Sequence, residues 1–561
     1  MVRRIFARIA APVRGLHQAA YVLAALTLAS QVLALLRDRQ FAHTFGAGQI
    51  LDLYYAAFRM PDLVFALVSS LVSAYVLIPR ITGMDREKTR TLLSESATFL
   101  FAAGGLICVV LGIFMPQFLG LLYPSFVTSA YHSQFVLLAR LLLVQPILLG
   151  LTGVFASVTQ VHRRFLLFAL SPLLYNLGII FGTAVLYPHF GLPGIGIGVV
   201  IGSIAYFAVH IPVVINAGVM PRFKLPTFPL MSSVVQASIP RSLALGVNAF
   251  TILILTSMAS RLGTGEISVF TFAGNLEAVP LALIGSSYAV AAFPALSESF
   301  AEGKRDEFIK VLSASARHII LWSIVFLGLV AVLRAHIVRV ILGTGAFDWN
   351  ATRLTAALLV ICMVGLVVDA LELLFSRALY AARQSWRPLI YQLAGGALTI
   401  VLAVYFLAMP ATGFPTWLAD FLKVGDIRGT AILLLALANI IGQFFLVGLS
   451  LIALRSVAPG LSRTLLRPVI DGSIAAVVGG TVAYFVLLLL GGIAPLTTLA
   501  SVFIQGFIAG VVGLAAAALA LFVVDNEEIH IMANAFDRLV HSKKDLAAAL
   551  TPSDEEPIQP Q

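Results

Sequence analysis

Fourteen apolar stretches, each longer than 20 residues, divide this chain: 17-40, 50-79, 93-122, 135-161, 165-187, 192-217, 235-260, 267-298, 313-342, 354-380, 387-408, 429-454, 468-491 and 497-524. About 20 apolar residues in a helix cross a bilayer's hydrocarbon core. Within lipid every backbone N–H and C=O must be bonded inside the structure, so only helices and closed barrels can span. The runs are continuous rather than alternating with period two, which selects helices. The expectation is an all-α polytopic membrane protein with about 14 transmembrane helices. Charge content agrees, since 11% of residues are charged against about 25% in soluble domains.

Basic residues test the span count independently, because Lys and Arg collect in cytoplasmic loops. Alternate loops hold Arg80, Arg86, Lys88 and Arg90; Arg163 and Arg164; Arg222 and Lys224; Lys304, Arg305 and Lys310; Arg383 and Arg387; and Arg455, Arg463 and Arg467. The opposite loops at 123-134, 188-191 and 492-496 have none. Both termini are therefore expected in the cytoplasm, with residues 1-16, carrying Arg3, Arg4, Arg8 and Arg14, as a basic anchor rather than a cleaved signal. The net charge of +10 then meets anionic lipid headgroups and requires no nucleic-acid partner. Cys108 and Cys362 both lie in apolar runs, which suggests neither a disulfide nor a metal site, and no cofactor is implied. Residues 526-561 read as an interfacial helix followed by a polar, Pro-containing end.

An internal repeat organises the spans. "FGAGQI" at 45-50 precedes the second and "LGTGEI" at 262-267 precedes the eighth, and each following helix ends at a Pro and a charged loop, from Pro79 and Pro294. Six helices separate equivalent points and both segments enter from the same side. The repeat is thus parallel, giving two six-helix lobes, 17-225 and 226-455, with residues 456-525 as two additional helices. Transporters built this way place the substrate site between the lobes near mid-bilayer.

An ionisable side chain at that depth costs at least about 2.5–3.5 kcal/mol, so each one there is a site hypothesis. Asp52, Arg59 and Asp62 fall on one face of the second span, with Arg59 placed to pair with Asp62. Arg37 and Asp38 are neighbours expected to point to different faces, and lie deep only if the first helix continues to Phe45. Asp369 and Glu372 share a face of the tenth span, with Arg377 a turn beyond. A local salt-bridge cluster and an ion-coupling site are both open readings there. Arg140 and Arg241 read as anchors or vestibule residues. Pro61, Pro146, Pro240 and Pro280 permit kinks.

No soluble catalytic motif is present: no Walker A sequence, H-E-x-x-H, G-x-S-x-G or dinucleotide fingerprint. No catalytic or metal-binding residue is assigned, and the chain is not read as an enzyme.

Five segments, "RDRQFAHTFGAGQILDLYYAAFRMPDL" (37-63), "SPLLYNLGIIFGTAVL" (171-186), "AVAAFPALSESFAEGKRDEF" (289-308), "GTGAFDWNATRLTAALL" (343-359) and "ALYAARQSWRP" (378-388), together resemble the MurJ (MviN) family. Its members are flippases for lipid-linked peptidoglycan precursor in the bacterial inner membrane, within the multidrug/oligosaccharidyl-lipid/polysaccharide exporter superfamily. The resemblance implies a V-shaped pair of lobes, a cationic central cavity for the diphosphate and sugar headgroup of lipid II, and a lipid-tail groove at residues 456-525. It implies substrate contacts at Ser30, Arg37, Asp38, Asp52 and Arg59, and, in the eighth span, at Asn275 and Glu277. Asp369 and Glu372 are the candidates for ion coupling.

The departures concern charge. Gln31 stands where the family has Arg, Phe65-Ala66 where it has an Arg pair, and Ala273-Gly274-Asn275-Leu276 where it has Ala-Asp-Arg-Leu. A less positive cavity is expected, and no acid appears in the seventh or eleventh span to support sodium coupling. The expected partners are a lipid-linked oligosaccharide, membrane lipids and cell-wall synthesis proteins. The alternatives are export of another lipid-linked glycan or small solute, or a non-transporting cell-wall scaffold.

Overall fold

A computed structural model describes residues 16–491 and 498–529. The basic N-terminal anchor and almost all of the expected interfacial tail lie outside the described residues. Twelve helices are long and apolar enough to span: α3 (Arg86–Ile113), α4 (His132–Val161), α5 (Leu166–Phe190), α6 (Leu192–Asn216), α7 (Phe228–Ala259), α8 (Glu266–Ala301), α9 (Arg305–Ile341), α10 (Trp349–Ala381), α11 (Trp386–Leu407), α12 (Ile432–Leu454), α13 (Leu461–Gly491) and α14 (Leu499–Val523). Gln49–Leu67 and Ser69–Ile81, bent by 44°, form a thirteenth, α2, when taken as one span. The first helix, α1 (Leu16–Phe45), has 30 residues, more than the length a span requires. No strand occurs among the described residues, and the fold is all-helical as the hydropathy implied.

Small residues decide which helices touch. Without water to drive association inside lipid, spans pack by close backbone approach. On α5, Gly178 and Gly182 face Gly198 and Gly202 of α6 so closely that a Cβ on Gly198 would strike the Gly182 Cα and the Gly178 carbonyl. Gly198→Val is expected to destabilise by at least about 1–3 kcal/mol, the range for overpacking. Thermal melting in detergent checks this against Gly448→Ala, at a glycine with open space around it; equal melting points would refute it. The same device joins α13 to α14, where Gly479 meets the Gly513 carbonyl and Ala517.

Two contacts tie peripheral segments to the bundle. Residues 217–227, between α6 and α7, hang on one face of α3: Arg222 N–H donates to Ser94 Oγ (2.9 Å), Lys224 N–H to Thr98 Oγ1 (3.4 Å), and Thr227 N–H and Oγ1–H to Glu95 Oε2 (2.9 and 2.7 Å). Just beyond α14, Asn526 donates to Asp471 of α13 (2.7 Å) and Glu528 pairs with Arg317 and His318 of α9 (3.0 and 2.7 Å). Burial opposes ionisation of Glu528, but those partners hold its carboxyl below the ordinary range. His318 in turn stacks on Tyr288 of α8.

Three of the spans contain a wide turn, at Leu100–Gly104, Gly182–Leu186 and Leu281–Ser286. Such π-type insertions are frequent at functional sites. The turn in α8 follows Pro280, which has no N–H to continue the ladder.

Candidate functional site

The end of the bundle opposite the arginine-rich loops is sealed by three glycine turns, and two of them are the repeat motifs. Gly46, at φ +60°, lies against the Ala346 carbonyl; Gly265, at φ +92°, lies against the Ala47 carbonyl. Left-handed φ and the missing Cβ both require glycine at these two positions. The third turn joins through Ala346 N–H, which donates to the His43 carbonyl (3.0 Å), and through His43 Nδ1 with Thr344 Oγ1 (3.1 Å). Arg39 adds a bond from α1 to the Val340 carbonyl of α9 (2.5 Å).

Asp52 belongs to this seal. Its carboxylate is fully buried and accepts from Gly265 N–H (2.5 Å), Ser268 N–H (2.8 Å) and Ser268 Oγ–H (2.6 Å) at the start of α8. A carboxylate satisfies the orphan N–H groups of a helix N-terminus and complements its dipole. Here it does so from the other half of the repeat. The sequence reading put Asp52 on one helical face with Arg59; its hydrogen bonds go to α8.

Below the seal, α1 extends to Phe45, so Arg37 and Asp38 are deep. They do not diverge as their adjacency predicted. The long guanidinium curls back, with Nε and Nη2 donating to Asp38 Oδ1 (3.0 and 2.8 Å) and Nη1 to Asn176 Oδ1 of α5 (3.0 Å). Asp38 Oδ2 then accepts from Asn275 Nδ2 of α8 (3.0 Å). Arg37 and Asp38, adjacent in sequence, and Asn275, 237 positions after Asp38, are one bonded chain across the halves. Ser30, two turns before Arg37 on the same helix, is half-buried.

Next to this chain lies a cavity of about 650 Å³. Asn275 borders it, whereas Ser30, Arg37, Asp38 and Asp52 do not. Helical periodicity supplies the lining: α2 gives Arg59; α7 gives Arg241, Leu245, Asn248 and Ile252; α8 gives Thr271, Gly274, Asn275 and Glu277. From α10 come Cys362, Gly365, Asp369, Glu372, Ser376, Arg377 and Tyr380, from α11 Gln392, and from α12 Asn439 and Gln443. Arg59 is 4.0 Å from Asp62 and within 3.5 Å of Thr271 Oγ1. A smaller cavity, lined by Ser70, Ser73, Pro240 and Ser385, shares Arg241 and Tyr380 with the first and leads toward the arginine-rich loops.

Three arginines and three acids line the large cavity, in line with the reduced positive charge expected. The acids do not form the isolated α10 cluster that spacing suggested. Glu277 of α8 stands within hydrogen-bond reach of Asp369, and the charge of Arg377 acts on Glu372. No group of three His, Cys, Asp or Glu residues among the described residues could hold a metal ion.

Arg241 was read as an anchor or vestibule residue near the start of its helix. In fact α7 begins at Phe228, which places Arg241 well inside. The amides Asn248, Gln392, Asn439 and Gln443 were missed. Their signal was available: Arg241 and Asn248 are seven apart, and Asn439 and Gln443 four apart, in otherwise apolar helices.

Comparison with known proteins agrees with this architecture. The fold is similar to a lipid II flippase MurJ in an inward closed conformation, with a TM-score of 0.71 at 19% identity over 90% of this chain and all of that one. It is less similar to an inward-facing multidrug resistance MATE family transporter of the MOP superfamily, with a TM-score of 0.64 at 13% identity over 79% of this chain and 99% of that one. In sequence it is 25% identical to the lipid II flippase MurJ of Burkholderia cenocepacia over 71% of this chain and 79% of the relative. It is 27% identical to a probable lipid II flippase MurJ of Thermotoga maritima over 67% and 77%. A family model described as lipid II flippase MurJ matches residues 41–421, more than half of the chain, and the chain therefore belongs to the MurJ family of lipid II flippases.

Proposed function

We propose that this protein translocates undecaprenyl-linked peptidoglycan precursor across the inner membrane by alternating access, without an ATPase of its own. The observation that carries the reading is a polar cavity between the halves of the repeat, sealed at one end, in a chain of this family. The arginine-rich loops are taken as cytoplasmic by the positive-inside rule, which puts both termini inside and the glycine seal outside. In this orientation the headgroup enters from the cytoplasm and meets Arg59 and Arg241 on the α2 and α7 walls. Charge-assisted bonds to its phosphates replace the hydration that lipid cannot supply. Tilting of residues 17-225 against 226-455 then opens the glycine seam, and residues 456-525 hold the polyprenyl tail.

Cells depleted of their own flippase test this directly. The wild-type chain is expected to restore lipid II translocation, and Arg59→Ala to reduce it by at least about 10-fold, the loss of one charge-assisted hydrogen bond. Failure of the well-expressed wild-type chain would sink the proposal. A second reading, export of a different lipid-linked glycan, is favoured by one observation, the equal number of acids and arginines around the cavity.

A further inference from the structure

We propose that the α8–α10 wall of the cavity is a subsite for a primary ammonium group on the cargo's headgroup, with Glu277 and Asp369 as its ligands. This rests on the flippase reading and specifies the cargo further: a lipid-linked diphosphate whose amino-acid or amino-sugar portion carries a free amine.

The geometry poses a problem that such a group solves. Two carboxyls within hydrogen-bond reach repel unless a proton or a cation lies between them. Oε1 of Glu277 is buried and accepts from no N–H or hydroxyl donor of the protein; beyond the Asp369 carboxyl, its side chain has the weakly donating Cys362 thiol within reach, and a buried acceptor without a strong donor costs about 1–3 kcal/mol. An ammonium carries three donors and no acceptor, so it can bond Glu277, Asp369 and one neighbouring amide oxygen together.

The surroundings leave room for a polyatomic group, since both acids line the cavity of about 650 Å³. No group of three acids, histidines or cysteines among the described residues could hold a metal ion. Gly365, one turn before Asp369, lets the α10 backbone come close to Glu277: a Cβ there would stand 3.7 Å from Oε1 and 3.2 Å from Ile440 Cγ1. Gly274, on the cavity side of α8, has no heavy atom within 4 Å of where its Cβ would be. The arginines on the α2 and α7 walls face the opposite requirement, a diphosphate. The third arginine, Arg377 on α10, is offset by Glu372, so the cavity is bipolar, and a headgroup with an anionic and a cationic end fits it in one orientation.

The full-length protein in detergent, studied by native mass spectrometry, decides the matter from the ligand's side. The probes are lipid II with a free lysine ε-amine and the same lipid with that amine acetylated. Acetylation removes the charge and leaves the phosphates unchanged. Wild type is expected to bind the free amine about 10-fold more tightly, one charge-assisted contact. In Glu277→Gln and Asp369→Asn the preference should shrink to below about 2-fold by the same reasoning. Equal binding of both lipids by wild type overturns the subsite and leaves the flippase reading standing. If neither lipid II binds, the flippase reading falls, and an undecaprenyl phosphate bearing an amino sugar is compared with its N-formyl form. Preference for the amine then upholds the subsite; equal binding, or none, overturns it.

Discussion

Asp52→Ala will open the glycine seal. The substitution leaves Gly265 N–H, Ser268 N–H and Ser268 Oγ–H without their acceptor at the start of a buried helix. Hydrogen bonds to a charged group contribute about 1.5–3 kcal/mol each, and their losses at one helix end do not add fully. A shift of about 3 kcal/mol between closed and open forms is expected, roughly 100-fold in population. Cys362 lines the cavity and reports this without an engineered probe. In a Cys108→Ala background it is the only thiol, since the chain has two cysteines. Labelling by a membrane-impermeant reagent from outside should accelerate by about that factor. A rate within about threefold of the parent's would mean that the glycine turns hold without Asp52, an energy difference under 1 kcal/mol.

Asp38→Ala will damage stability more than removal of its partner together with it. Asp38 is buried, 2% exposed, and joins Arg37 to Asn275. Deleting it leaves a deep guanidinium with Asn176 as its remaining side-chain acceptor. Breaking a buried pair from one side costs about 3–5 kcal/mol, whereas replacing both members by apolar groups is often close to neutral. The double variant Arg37→Met, Asp38→Ala should therefore unfold later in detergent than Asp38→Ala alone. Translocation should be lost in both, since the bonded chain between the halves is gone in each. A double variant less stable than the single one would show that Arg37 is not stranded by loss of Asp38.

The spans and their order were legible because lipid imposes a length and leaves few alternatives to a helix. The repeat was legible because glycine turns recur where the halves meet. What could not be read was which polar residues share a space. Glu277 and Asp369 are 92 positions apart, and no periodicity links two helices. Adjacency even misled at Arg37 and Asp38, because a flexible side chain can reach a neighbour that the helical wheel sends elsewhere. Asp52 shared a helical face with Arg59, as predicted, yet its partner was a helix end, a set of N–H groups that hydropathy does not reveal. The amides of α7 and α12 were visible in spacing and passed over because they carry no charge.

The strap from residues 217–227 to Ser94, Glu95 and Thr98 has a mechanical implication. A connection pinned along its length cannot act as slack between two moving bodies. α7 begins anchored to one half through Thr227 and farther along packs against both α2 and α11. Any tilt must then be taken up as flexure within that 32-residue rod, concentrated where Pro240 omits a rung of its ladder. The joint between the halves is thus a leaf spring inside the membrane, a single helix in place of a slack loop.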